Sequence, residues 1–219
     1  MTVVSHPRAS LSVDRDQYMS WVCSAAFPVM CLTCRMPSYA GRRQTVELLP
    51  DATTERTVRE VWRRLSEAGL PSQAAHRHPT NRPHLTLATA DTLVPEVRVQ
   101  LKHVLEGLPV PLHLDGTVRF TGRTSVLAWA VRADAALLHL HEAVWRALRD
   151  APACGRLNPI HAPERWQPHV TLARGRAVAC PGTGLFSAPP DGPADVLARQ
   201  WVSARTYDST VRSATPLGQ

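Results

Sequence analysis

The chain has 219 residues, of which 44% are hydrophobic, and this is enough for one domain or two small lobes with a buried core. Its 25 Lys and Arg against 18 Asp and Glu give a formal net charge of +7, which favours polyanionic partners such as RNA. Five cysteines without framework spacing argue against a secreted disulfide scaffold. No apolar run reaches the length of a membrane span, so we expect a cytoplasmic protein that does not bind a membrane.

The first part of the chain is predicted to contain an N-terminal extension, followed by a strand, a helix, a loop and a second strand. Residues 1–42 show no sustained hydrophobic period, and we predict an irregular or disordered N-terminal extension there. The domain itself is predicted over 43–219. It opens with a strand over 45–49 and a helix over about 53–68, whose apolar residues recur at helical spacing. A polar loop over 72–82 then leads into a strand over 84–88.

The second part repeats this order of elements. A helix is predicted over 95–106, because Pro95 suits the first turn and Gly107 the position after the last. Strands over 111–115 and 125–131 and a helix over 135–148 follow. A Pro-rich loop over 151–167 leads into a strand from His169, and after a possible helical turn over 195–200 a late strand covers 201–207. Strand, helix, loop and strand thus occur twice, which predicts two α+β halves facing each other across a cleft.

Two short segments, 83–87 and 168–172, share the pattern of Pro, His, an apolar residue, Thr and Leu. Residues i and i+2 of a strand point to the same face. His84 and Thr86 therefore share a face, as do His169 and Thr171, while the apolar residues between them pack into the core. One such segment alone is usually structural, but a duplicated pair can place two imidazoles and two hydroxyls around one small anion. That arrangement suits acid–base chemistry at phosphorus.

The duplicated motif resembles the double His-x-Thr-x signature of the two-histidine (2H) phosphoesterase superfamily, specifically its 2′-5′ RNA ligase-like branch with the RNA 2′,3′-cyclic phosphodiesterases. The segments 114–129, 140–141 and 166–174 resemble further parts of that family, and the resemblance covers about residues 43–207. It implies a bilobal, duplicated α+β fold, with two antiparallel sheets facing a central cleft and helices packed outside. It also implies metal-independent phosphodiester chemistry without a cofactor.

The resemblance also implies roles for individual residues. His84 is expected to act as the acid toward the leaving oxygen and His169 as the base, with Thr86 and Thr171 as hydrogen-bond donors to the non-bridging oxygens. Three further residues are candidates for substrate binding, each with a plainer alternative. These are Arg174, as the cation beside the phosphate or a surface arginine; Arg82, at the RNA entrance or in a mobile polar loop; and Trp166, as a stacking platform for a base or a packing residue.

These residues predict a monomeric hydrolase in RNA processing, which opens 2′,3′-cyclic phosphates on RNA ends or small nucleotides to give a 2′-phosphate. Two alternatives stay open. The same site would serve a 2′-5′ RNA ligase or 2′-5′ phosphodiesterase, and an RNA-binding module with vestigial catalysis would keep the surface without the chemistry. The ten histidines show no metal-ligand spacing, and no metal site is predicted.

Overall fold

A computed structural model describes residues 30–32, 43–176, 178 and 199–218. The strands in these residues are β1 (Met30–Leu32), β2 (Gln44–Pro50), β3 (Leu85–Ala90), β4 (Val110–Pro111), β5 (Leu114–Phe120), β6 (Ser125–Val131), β7 (His169–Gly175), β8 (Gln200–Asp208) and β9 (Ser213–Leu217). The α-helices are α1 (Ala52–Glu67), α2 (Pro95–Val104) and α3 (Ala135–Arg149).

The strands form two sheets, and each sheet carries one of the two motifs at its edge. The first sheet has the order β1-β5-β6-β7, in which β1 runs parallel to β5 and the other neighbours are antiparallel. The second has the antiparallel order β3-β2-β8-β4, with β9 also pairing with β8. The motif strands β3 and β7 contact each other. The predicted α+β fold with two sheets is therefore confirmed.

Helix α1 illustrates how local sequence sets an element. The carboxylate of Asp51 accepts the backbone N–H groups of Thr53 and Thr54 at 2.9 Å, which satisfies donors that the first helical turn leaves unpaired. The buried residues of α1 follow at helical spacing and form one apolar face: Thr54, Val58, Val61, Trp62 and Leu65. The predicted helix is confirmed with bounds one residue earlier.

Each half of the chain packs a helix against the motif strand of the other half. Helix α1 contacts β7, and helix α3 contacts β3. Trp62 of α1 donates its indole N–H to the backbone carbonyl of Thr171 at 3.0 Å, and Trp166 donates its own to the carbonyl of Thr86 at the same distance. The larger of two apolar clusters includes residues of both sheets and all three helices. These crossed contacts tie both motif threonines to one rigid core.

The structure also corrects part of the predicted order. The strand expected over 111–115 is wrong: β4 pairs with β8 in one sheet and β5 pairs with β6 in the other, so the chain changes sheets between them. Helix α2 ends at Val104 and a 3-10 turn follows over Leu105–Gly107. Strand β9 was not predicted.

Two predictions concern segments that lie largely outside the residues that the structure describes. Strand β1 lies within the segment predicted to be irregular, and the rest of 1–42 is outside the described residues. Of the helical turn predicted over 195–200, residues 195–198 are outside them and Gln200 begins β8.

Candidate active site

The first motif shares its face of the second sheet with a polar row. In the β2–β3 ladder Thr86 pairs with Glu47, and in the β2–β8 ladder Glu47 pairs with Arg205. Directly paired residues project to the same face of a sheet. Leu85, in contrast, pairs with Leu48, and both are fully buried in the core. The alternation predicted for the first motif therefore places Thr86 away from the core.

A β-bulge determines which residues of β7 share the face of the second motif. Thr171 pairs with Ala128, but the next pair joins Ala173 to Leu127, so that Leu172 is an extra residue in β7. The pair after that joins Arg174 to Val126. Because Val126 and Ala128 lie on one face of β6, Arg174 lies on the same face as Thr171. Simple alternation from His169 would have placed residue 173 there.

The first motif contains the matching bulge. Thr86 pairs with Glu47 and the next pair joins Ala88 to Val46, so that Leu87 is the extra residue in β3. Leu87 and Leu172 are both fully buried. The duplication therefore extends beyond the sequence motif to the backbone irregularity that follows each threonine. It also includes the indole N–H that each threonine carbonyl accepts.

Both motif histidines are oriented by a backbone carbonyl two residues earlier. Nδ1 of His84 lies 2.7 Å from the carbonyl oxygen of Arg82, and Nδ1 of His169 lies 2.8 Å from that of Gln167. A carbonyl only accepts, so Nδ1 carries the proton in each ring. This tautomer leaves Nε2 of both rings for exchange of a proton with a substrate.

The two imidazoles differ in their surroundings. The ring of His169 is half-buried and lies 4.6 Å from the ring of Phe120, centroid to centroid. Loss of hydration lowers the pKa of His169, and the nearby charges of His84 and Arg174 lower it further. Nε2 of His84, in contrast, is 3.7 Å from a carboxylate oxygen of Glu47. The environment of His169 thus favours its neutral form, whereas His84 faces a negative charge.

Glu47 is a buried, ionised carboxylate that the sequence reasoning missed. It is 2% exposed, and it accepts the Thr45 hydroxyl at 2.7 Å and Nε of Arg205 at 2.8 Å. Burial raises the pKa of Glu47, but the charges of His84 and Arg205 and these two hydrogen bonds outweigh burial and lower it. The available signal was a charged residue between Val46 and Leu48, two core residues of a strand.

Two further aromatic residues join the site from strands that the sequence analysis did not connect with it. Phe120 lies against His169, as described above. Tyr207 pairs with Thr45 across β2 and β8, and its ring lies 6.0 Å from the guanidinium carbon of Arg205. Only the register of the antiparallel ladders assigns both to the motif faces.

The remaining predicted substrate-binding residues have contacts of their own. Arg82 is half-exposed, and its guanidinium pairs with the carboxylate of Glu55 on α1, with Nη2 and Oε2 2.5 Å apart. The Trp166 indole is 9% exposed and stacks on the ring of His141, with centroids 3.7 Å apart. Trp166 thus packs beneath Thr86. Binding of substrate by Arg82, Trp166 and Arg174 stays a prediction.

The described residues hold no group of three or more His, Cys, Asp or Glu side chains placed to bind a metal ion. Within the same ranges no helix is both long and apolar enough to cross a membrane. The side chains on the two motif faces include two imidazoles, two hydroxyls and the exposed guanidinium of Arg174.

Comparison with known proteins identifies the family of the chain. The sequence model of the 2′-5′ RNA ligase superfamily matches residues 49–181, which include both motifs, and the chain belongs to this family of 2H phosphoesterases. No curated protein matches the chain.

Several solved structures are similar in fold at low identity. E. coli LigT in apo form is 20% identical with a TM-score of 0.48, and the match covers 81% of this chain and 96% of that one. E. coli LigT complexed with 3′-AMP is 21% identical with a TM-score of 0.47 and the same coverage. Kluyveromyces marxianus Usb1 with uridine monophosphate is 12% identical with a TM-score of 0.44, over 81% of this chain and 97% of that one.

Proposed function

We propose that this protein is a metal-independent phosphodiesterase that opens 2′,3′-cyclic phosphates on RNA ends or small nucleotides. The observation that carries the proposal is the matched pair of histidines, each with Nδ1 tied to a carbonyl and Nε2 free for proton exchange. General acid–base catalysis needs two such groups, one on each side of the reacting phosphorus. An unperturbed imidazole pKa near 6.5 lets one ring be neutral and the other protonated close to neutral pH.

The proposed reaction is an in-line displacement by water. Nε2 of His169 takes a proton from the attacking water as the new P–O bond forms. His84 gives its Nε2 proton to the ribose 3′-oxygen as the P–O3′ bond breaks, which leaves a 2′-phosphate. The lowered pKa of His169 supports its assignment as the base. The product leaves one histidine protonated and the other neutral, and proton exchange with water restores the starting state.

The other residues of the site are assigned to the phosphate. The hydroxyls of Thr86 and Thr171 donate hydrogen bonds to its non-bridging oxygens. The guanidinium of Arg174 balances the charge that develops there, since a preorganised cation near phosphate oxygens stabilises the transition state. The bulge at Leu172 supports this role because it brings Arg174 to the face of Thr171. The net charge of +7 favours RNA ends as substrates and RNA processing as the setting, in a monomeric cytoplasmic protein.

A second candidate activity uses the same catalytic groups with a different nucleophile. If the 5′-hydroxyl of another RNA replaces water as the nucleophile, opening of the cyclic phosphate joins two strands through a 2′-5′ linkage. Reversal of that step cleaves such a linkage. Membership in the 2′-5′ RNA ligase superfamily is the observation that favours this candidate.

Product analysis separates the candidates. Purified protein is incubated in EDTA with a 2′,3′-cyclic mononucleotide and with an RNA oligomer ending in a 2′,3′-cyclic phosphate, with and without a 5′-hydroxyl RNA. We expect a 2′-phosphate from both substrates. A joined RNA would assign the protein as a ligase, and RNA binding without any product would replace catalysis by a binding role.

A further inference from the structure

We propose that Glu47 is a positioning residue whose fixed negative charge, 3.7 Å from Nε2 of His84, stabilises the imidazolium form of this ring relative to the neutral form and thereby assigns His84 the role of proton donor. This inference rests on the proposed function, because a donor is needed only if the two histidines act on a phosphodiester. None of the sequence motifs includes Glu47, and it reaches the site through the β2–β3 ladder.

The first argument is geometric. With Nδ1 of His84 donating to the carbonyl of Arg82, the second nitrogen can carry a proton only if the ring is a cation. That nitrogen lies 3.7 Å from Oε1 of Glu47. A carboxylate at this separation stabilises the imidazolium relative to the neutral ring.

The carboxylate itself is fixed. Oε1 accepts the hydroxyl of Thr45, and Oε2 accepts Nε of Arg205, whose Nη1 in turn donates to the carbonyl of Thr80. The side chains of Glu47 and Arg205 are 3% and 7% exposed. A charge this buried and this well hydrogen-bonded does not rotate away, so its effect on His84 is part of the folded structure.

The second argument comes from the duplication. Thr86 of the first motif pairs with Glu47, whereas Thr171 of the second motif pairs with Ala128. The two ladders share the backbone irregularity at this point, since each continues through a buried leucine bulge. The site thus has a carboxylate in one half and a methyl group at the equivalent place in the other. This difference adds to the burial of His169 and to its contact with Phe120 in making the two histidines unlike.

The charged and titratable groups on the two motif faces come from three strands. Strand β2 supplies Glu47, β8 supplies Arg205 and Tyr207, and β7 supplies His169 and Arg174. Arg82, two residues before His84, is paired with Glu55 of α1. Of the carboxylates in this set, Glu47 faces His84, while Glu55 is engaged by Arg82 and Arg59.

The test is the pH profile of Glu47→Gln, with Glu60→Gln as a control that makes the same change in charge on the exposed face of α1. In a bell-shaped profile of kcat the alkaline limb reports loss of the proton from the acid. We expect this limb to move to lower pH by at least about one pH unit in Glu47→Gln, so that kcat at pH 8 falls by about tenfold. KM should change little, and Glu60→Gln should match the wild type. In Glu47→Asp, which keeps the negative charge, the alkaline limb of kcat should lie close to its wild-type pH.

A direct titration separates this inference from the proposed activity. Imidazole NMR signals of His84, identified by their loss in His84→Ala, should titrate about one pH unit lower in Glu47→Gln than in the wild type. If the unpaired Arg205 prevents folding, the double variant Glu47→Gln/Arg205→Gln removes both buried charges and should show a shift of the same sign. Unchanged His84 titration in the folded variant would overturn the role of Glu47. If the wild type hydrolyses no cyclic phosphate, the proposed function fails, and the titration still decides the effect on His84.

Discussion

Replacement of Arg174 tests the link between a backbone irregularity and catalysis. The bulge at Leu172 puts this exposed side chain on the face of His169 and Thr171, where its cation also lowers the pKa of His169. In Arg174→Gln a charge-assisted hydrogen bond to a phosphate oxygen is lost, worth about 1.5–3 kcal/mol. At about 1.4 kcal/mol per tenfold, kcat/KM should fall by about ten- to a hundredfold. Because the side chain is exposed, the free energy of unfolding should stay within about 0.5 kcal/mol.

The assay is steady-state hydrolysis of a 2′,3′-cyclic mononucleotide across pH, with thermal unfolding measured alongside. Removal of the cation raises the pKa of His169, and a base must be neutral to act, so the acidic limb of kcat/KM should move to higher pH. Arg176→Gln is the matched control, since Arg176 is also exposed and lies just beyond the end of β7. Equal losses in the two variants, or no loss in Arg174→Gln, would refute the assignment.

Two further predictions concern the core that supports the site. His141 is 1% exposed, and burial lowers its pKa to about 4. Because the pKa of His141 is near 6.5 in the unfolded chain, its neutral form contributes fully to the free energy of unfolding above about pH 6.5. Between pH 6.5 and pH 4 the free energy of unfolding should fall by about 1.4 kcal/mol per pH unit. Urea unfolding should show a shallower pH dependence in His141→Gln, and an unchanged slope would count against this explanation. Trp166→Phe keeps a ring against His141 but loses the hydrogen bond to the Thr86 carbonyl, and should lower the free energy of unfolding by about 1–3 kcal/mol. The control is Trp145→Phe, which changes a half-buried tryptophan of α3. An equal loss of unfolding free energy in both variants would show that Trp166 has no special role.

The sequence was sufficient for the parts of the site that depend on local pattern. The period of two residues correctly predicted that Leu85 is buried while Thr86 points away from the core. Helical spacing after the capping residue Asp51 predicted both ends of α1 to within one residue. What it could not give depends on register. The bulge at Leu172 is visible only once β6 and β7 are aligned, and it places Arg174 rather than Ala173 on the face of Thr171.

Long-range pairing explains the other omissions. Glu47 and Arg205 are separated by 158 positions in the chain, and neither belongs to a motif. A polar residue in a strand reads as an ordinary solvent-facing position until its cross-strand neighbours are known. The division of residues 110–120 between two sheets was missed for the same reason. The alternation of apolar and polar residues does not show which sheet a strand joins.

The most direct test of the two-histidine mechanism is the turnover of His84→Ala and His169→Ala on a 2′,3′-cyclic-phosphate-ended RNA in the presence of EDTA. We predict that the wild type releases a 2′-phosphate, while each variant unfolds at the wild-type temperature and gives no measurable product. Retained turnover in either folded variant would contradict the central claim that both imidazoles carry protons in the reaction.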